Sequence, residues 1–91
     1  MSIKIERPSI RSIIVTNHAI KRFQRRFHEM AAMTCSTRGL IRKLIRDSGK
    51  PELIKRLDIG NTYVYRNGPA QFHCKKVNNT MRVITVIKEY R

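Results

Sequence analysis

Arg22 lies four residues from both His18 and Arg26, and three from Arg25, so on a helix these side chains gather along one side. Guanidinium groups placed this way repel one another unless an anion is shared between them. Their planar fork matches two oxygens of a phosphate better than a lysine point charge does. Lys21 flanks the stripe, and a second basic run follows at Arg38, Arg42, Lys43 and Arg46. Between Thr16 and Lys50 nine basic residues stand against two acidic ones, Glu29 and Asp47. An ordinary solvated helix face mixes signs, so that Glu–Lys pairs one turn apart support the helix. Here compensation is sparse, which favours a surface made for a polyanion.

The whole chain repeats that imbalance. Twenty Lys and Arg against six Asp and Glu give 91 residues a formal net charge of +14. Such an excess opposes compaction by self-repulsion, whereas a nucleic acid releases condensed counterions when a basic surface docks on it. RNA is the expected partner; an acidic protein or an anionic membrane surface are the alternatives. No apolar run approaches the roughly 18 residues a membrane span needs. The opening MSIKIERPSI carries charges where a secretory signal would be apolar, so a cytoplasmic location is expected. Cys35 and Cys74 have no metal-ligand spacing and read as two reduced thiols, with a disulfide between them as the alternative. No Gly-rich phosphate loop or carboxylate cluster appears, and neither cofactor nor metal is expected.

The elements that must position these residues follow from periodicity. Ile10 to Val15 reads as an extended, β-branched segment, after which Thr16 or Asn17 offers an N-cap. Ile20, Phe23, Phe27 and Met30 fall at spacings of three and four, predicting an amphipathic helix over 17–30 with this stripe in the core. After a loop, Ser36 or Thr37 caps a second helix over 38–47 that buries Leu40, Ile41, Leu44 and Ile45 and ends at Ser48-Gly49. The stretch 51–57 suggests a short helical turn carrying Leu53, Ile54 and Leu57.

From Asp58 the pattern turns to strands, with a turn at 58–61, strands over 62–66, 70–77 and 81–88, and turn signals at Asn67-Gly68 and Asn78-Asn79-Thr80. The fold class expected is α+β over a single domain, 1–91. It comprises an N-terminal extended segment, two basic amphipathic helices, and a three- to four-stranded antiparallel meander packed on them. Tyr63 and Tyr65 share one strand face, and either stack on bases or pack against the helices.

The string His18-Ala19-Ile20-Lys21-Arg22-Phe23-Gln24-Arg25-Arg26, with Val83-Ile84-Thr85-Val86 in a closing strand, resembles a group of small bacterial and phage domains. In these a His-Ala-x-x-Arg-x-x-x-Arg helix leads to a second helix and a meander. They are similar to RelE-like and BrnT-like toxins, within the barnase, EndoU, colicin and RelE class of metal-independent ribonucleases. The likeness runs from Val15 to Ile87 in element order. It departs at Arg25, where an acidic residue is common, and at Phe27, where glycine is usual.

The resemblance implies RNA cleavage by attack of the 2′-OH. His18 would be the base, Arg22 would hold the scissile phosphate with Arg25 or Arg26 beside it, and His73 or else His28 would be the acid. Thr85 either joins this site or is a core residue of its strand. An acidic antitoxin or inhibitor would be a second partner. The alternatives are a non-catalytic RNA-binding or host-directed regulatory protein on the same scaffold, and a basic module for an acidic protein.

Overall fold

The computed structural model describes residues 3–89. The chain runs β1 (Ile3–Lys4), β2 (Ser12–Val15), α1 (Asn17–Arg26), α2 (His28–Ala32), α3 (Thr37–Arg46), β3 (Glu52–Arg56), β4 (Gly60–Asn67), β5 (Ala70–Val77) and β6 (Thr80–Lys88). The strands form one six-stranded sheet in the order β1-β3-β4-β5-β6-β2. All neighbours are antiparallel except β2, which lies parallel to β6. The α+β class is as expected, but the sheet is mixed and larger than a meander. The segment 51–57 is strand β3 rather than a helical turn, paired from Glu52↔Val64 to Arg56↔Gly60. Among the described residues no helix is long and apolar enough to cross a membrane.

Helices cover one face. Ala19, Phe23, Ile41 and Ile45 from the helices, with Phe27 from the junction of α1 and α2, meet Tyr65, Phe72, Cys74, Met81, Val83 and Val86 from the sheet in one buried cluster. Strand β2 adds Ile13 and Val15, while the alternate residues Ser12 and Ile14 are exposed. The Asn67-Gly68 signal marks a real hairpin, but its central pair is Gly68-Pro69. Asn67 pairs with Ala70, and Gly68 holds φ at +60° in the first central position, as a type II′ turn requires.

Helix α1 starts where the Thr16 hydroxyl accepts from the Ala19 N–H at 3.2 Å and donates to the Val83 carbonyl at 2.8 Å. One side chain thus caps the helix and ties it to β6. The helix expected over 17–30 breaks at Phe27, whose φ of −128° and ψ of 49° are not helical. The break keeps Phe27 stacked on Phe23 at 5.2 Å between ring centroids. It turns Met30, expected in the core, out to solvent. Ser36, one of the two candidate caps, accepts from the Gly39 N–H at 3.0 Å to begin α3.

The outer rim of the sheet is held by side chains of α3. Arg38 Nε donates to the Val15 carbonyl at 3.4 Å and Arg42 Nε to the Ile13 carbonyl at 2.9 Å. At the other end of α3, Arg7 donates to the carbonyls of Ile45, Arg46 and Ser48, satisfying acceptors that a helix terminus leaves open.

Candidate functional site

Strand β6 outruns its parallel neighbour. The pairing with β2 stops at Val15↔Val83, and Thr16 leads directly into α1. The remaining length of β6 and the polar stripe of α1 therefore enclose an open cleft. It is lined by His18, Arg22 and Arg26 from α1, by Arg56 and Asp58 from the β3–β4 hairpin, and by Ile84, Thr85 and Ile87 from β6.

A bulge gives Thr85 its place. His73 pairs with Thr85 but Cys74 pairs with Val83, leaving Ile84 as an extra residue on β6. Strict alternation from buried Val83 would send Thr85 to the core. The extra residue hands that position to Val86 and turns Thr85 and Ile87 to the face opposite the helices.

Within the cleft Arg22 Nε donates to His18 Nε2 at 3.4 Å. Arg26 Nη1 donates to the Val86 carbonyl at 3.2 Å, where β6 has lost its neighbour. Across the cleft, Arg56 presents Nε and Nη2 to the two oxygens of Asp58 at 2.9 and 2.7 Å. Its Nη1 lies 3.2 Å from His73 Nδ1. Because an arginine cannot accept, His73 Nδ1 is the acceptor and its proton sits on Nε2.

His73 is 93% enclosed, at 7% exposure, and Nε2 has no hydrogen-bond partner among the described residues. Burial, then the charges of Arg56 and Arg66, lower its pKa to about 4; Asp58 opposes them weakly. This imidazole is neutral at physiological pH and shut off from the cleft surface, so the geometry does not suit it to the acid role.

A stability signature follows. As pH falls below the ordinary histidine value of 6.5, the unfolded chain takes up a proton that folded His73 refuses until about 4. The unfolded state then binds more protons, and stability drops through that window by up to about 3 kcal/mol. Urea unfolding at about pH 7 and about pH 5 is expected to show this drop in the wild type, and His73→Gln to lack it. Equal slopes in the two proteins would place the acid sensitivity elsewhere.

The remaining basic residues do not converge on the cleft. Arg38 and Arg42 are committed to the carbonyls of β2, with Arg38 Nη2 also 3.0 Å from Asn17 Oδ1. Lys21 and Arg25 are exposed on α1, and Lys43 and Arg46 on α3. Tyr65 is in the core, 1% exposed, with Arg7 over its ring and its hydroxyl pKa pushed up to about 12 by burial. Tyr63 is half-buried against the same core. The Tyr65 ring is thus closed to bases, whereas Tyr63 also lines a separate surface pocket with Asn61, Lys75 and Lys76. Cys35 is exposed and Cys74 buried, and both are free thiols, with the Cys74 pKa raised by burial.

Sequence reasoning missed Arg56 and Asp58. The signal was present in Pro51 followed by a short apolar run and then Asp58-Ile59-Gly60, which reads as a strand entering a hairpin. No protein-family model matches this chain, and neither a curated protein nor a solved structure does.

Proposed function

We propose that this protein is a metal-independent endoribonuclease of the toxin type, akin to RelE-like and BrnT-like domains, acting on RNA in the cytoplasm. The observation that carries the reading is that His18, Arg22, Arg26 and Thr85 line one cleft although they come from opposite ends of the chain. As Arg22 turns from His18 Nε2 to the phosphate, the 2′-OH gives its proton to that nitrogen while its oxygen attacks phosphorus. Arg22 and Arg26 balance the charge that builds on the phosphorane, and the departing 5′-oxygen is protonated by water, which the open cleft admits. The Thr85 hydroxyl supplies a further donor on the sheet side.

The test is incubation of the purified protein with RNA in the presence of EDTA. Fragments ending in a cyclic phosphate are expected, at a rate that EDTA does not change. Arg22→Ala is expected to slow cleavage and weaken binding while leaving the fold intact, because Arg22 projects away from the Phe23 side of α1. An absence of cleavage at every salt concentration would sink the catalytic reading.

One observation favours a second reading, RNA binding without cleavage: the Nε2 lone pair of His18 is engaged by Arg22. An acidic antitoxin or inhibitor would compete for the same cations. Binding to RNA is separated from chance adhesion by its salt dependence, since each contacted phosphate of a single strand contributes about 0.7 to the slope of log affinity on log salt.

A further inference from the structure

We infer that Arg56 is a third phosphate-binding guanidinium of this cleft, and that His73 and Asp58 are the positioning residues that aim it. The inference rests on the RNA-binding reading above and extends it to the sheet side of the site.

A guanidinium has five N–H donors in one plane. Asp58 takes two of Arg56's, one on Nε and one on Nη2, and His73 takes one on Nη1. Two donors remain, one on each terminal nitrogen, and neither meets an acceptor among the described residues. Both are charge-assisted donors of the kind that phosphate oxygens accept. Arg56 is part-exposed and lines the cleft opposite Arg22 and Arg26, so these two donors are where a phosphate can reach them.

The arrangement is specific to a guanidinium held from two sides. An arginine anchored only by Asp58 would swing with the exposed carboxylate, whose side chain is 58% accessible. His73 prevents this by offering a fixed acceptor from a buried ring on β5, two strands away from β3. Its place between Val64 on β4 and Thr85 on β6 leaves the ring no room to follow solvent. The charged groups facing it are Arg56, Arg66 and Asp58. Arg66 is already paired with Glu52 at 2.8 Å and Glu89 at 3.2 Å, which leaves Arg56 as the guanidinium that its acceptor nitrogen serves.

Neutrality is essential to the role. A protonated His73 would offer Arg56 a donor instead of an acceptor and set two cations face to face. A ring held neutral by burial acts as a fixed acceptor throughout the physiological range.

The experiment measures affinity for a fluorescein-labelled single-stranded RNA as a function of salt, with the full chain. Arg56→Ala is expected to weaken binding about tenfold at low salt and to reduce the salt slope by about 0.7, one phosphate contact. His73→Leu, which removes the acceptor but not the charge of Arg56, is expected to reproduce much of that loss. His73→Gln, whose amide oxygen accepts, is expected to restore it, a rescue that a merely space-filling role for His73 would not give. Circular dichroism confirms that each variant is folded.

Wild-type affinity and slope in folded Arg56→Ala, with Arg22→Ala still impaired, overturn this inference and leave the proposed function standing. Failure of the wild type itself to bind RNA overturns both. Equal loss in folded His73→Leu and His73→Gln assigns Arg56 to the phosphate but removes His73 from its positioning.

Discussion

His18→Ala is expected to lower the rate of RNA cleavage by roughly 10²- to 10⁴-fold, the usual contribution of a positioned general base. RNA affinity should change little, because Arg22 and Arg26 keep their places. The substitution is structurally mild: His18 is exposed, and alanine is the residue a helix prefers. The first turn of α1 is fixed by Thr16, bonded at once to Ala19 and to Val83, so loss of the imidazole does not loosen the backbone that carried it. Arg22 merely loses a partner 3.4 Å away. Single-turnover cleavage with saturating protein separates chemistry from binding. A His18→Ala rate within a few-fold of wild type would place the base elsewhere and leave the cleft as a binding surface.

Phe23→Ala is expected to destabilise the fold by about 3–5 kcal/mol, the range for removing a buried phenylalanine ring. Phe23 is fully enclosed and stacks on Phe27 at 5.2 Å and on Phe72 of β5 at 6.4 Å, so it is the joint between α1 and the sheet. Domains of this size hold only about 5–15 kcal/mol in total, so the variant loses a large share of its margin. The urea midpoint should fall accordingly, with Met33→Ala as the control. Met33 is 89% exposed, and its removal should stay within about 0.5 kcal/mol of wild type. A loss below about 1 kcal/mol at Phe23 would mean that α1 is not seated as described. Because α1 carries His18, Arg22 and Arg26, partial unseating would also cost activity at temperatures where the protein is still folded.

Local patterns proved the most legible part of the sequence. The apolar stripes of α1 and α3, the caps at Thr16 and Ser36, and the hairpins that join β4, β5 and β6 are all written within a few neighbouring residues. The His18, Arg22 and Arg26 alignment was legible for the same reason, since helical spacing alone creates it. What escaped notice depends on contacts between distant segments. Strand β3 is short, and its pairing to β1 and β4 sets its conformation more than its own residue pattern does. The bulge at Ile84 is a property of the β5–β6 pair, and without it Thr85 would face the core. Enclosure of His73 depends on its neighbours on other strands, with Val64 and Thr85 to either side and Arg56 against Nδ1, and nothing in the local sequence around position 73 announces it. Arg38 and Arg42 looked like their neighbours on the helical wheel, yet the parallel placement of β2 beneath α3 gives them backbone acceptors.

Those two arginines also decide how this protein can be approached. A sheet usually recruits a foreign peptide, or a second copy of itself, by offering free carbonyls along its last strand. On β2 the carbonyls of Ile13 and Val15 are already taken by guanidinium groups, whose charge discourages an incoming chain as well. The opposite margin, β1, is only two residues long. Strand-by-strand annexation along β2 is thereby opposed, and a macromolecule approaching that margin meets arginine side chains rather than open backbone.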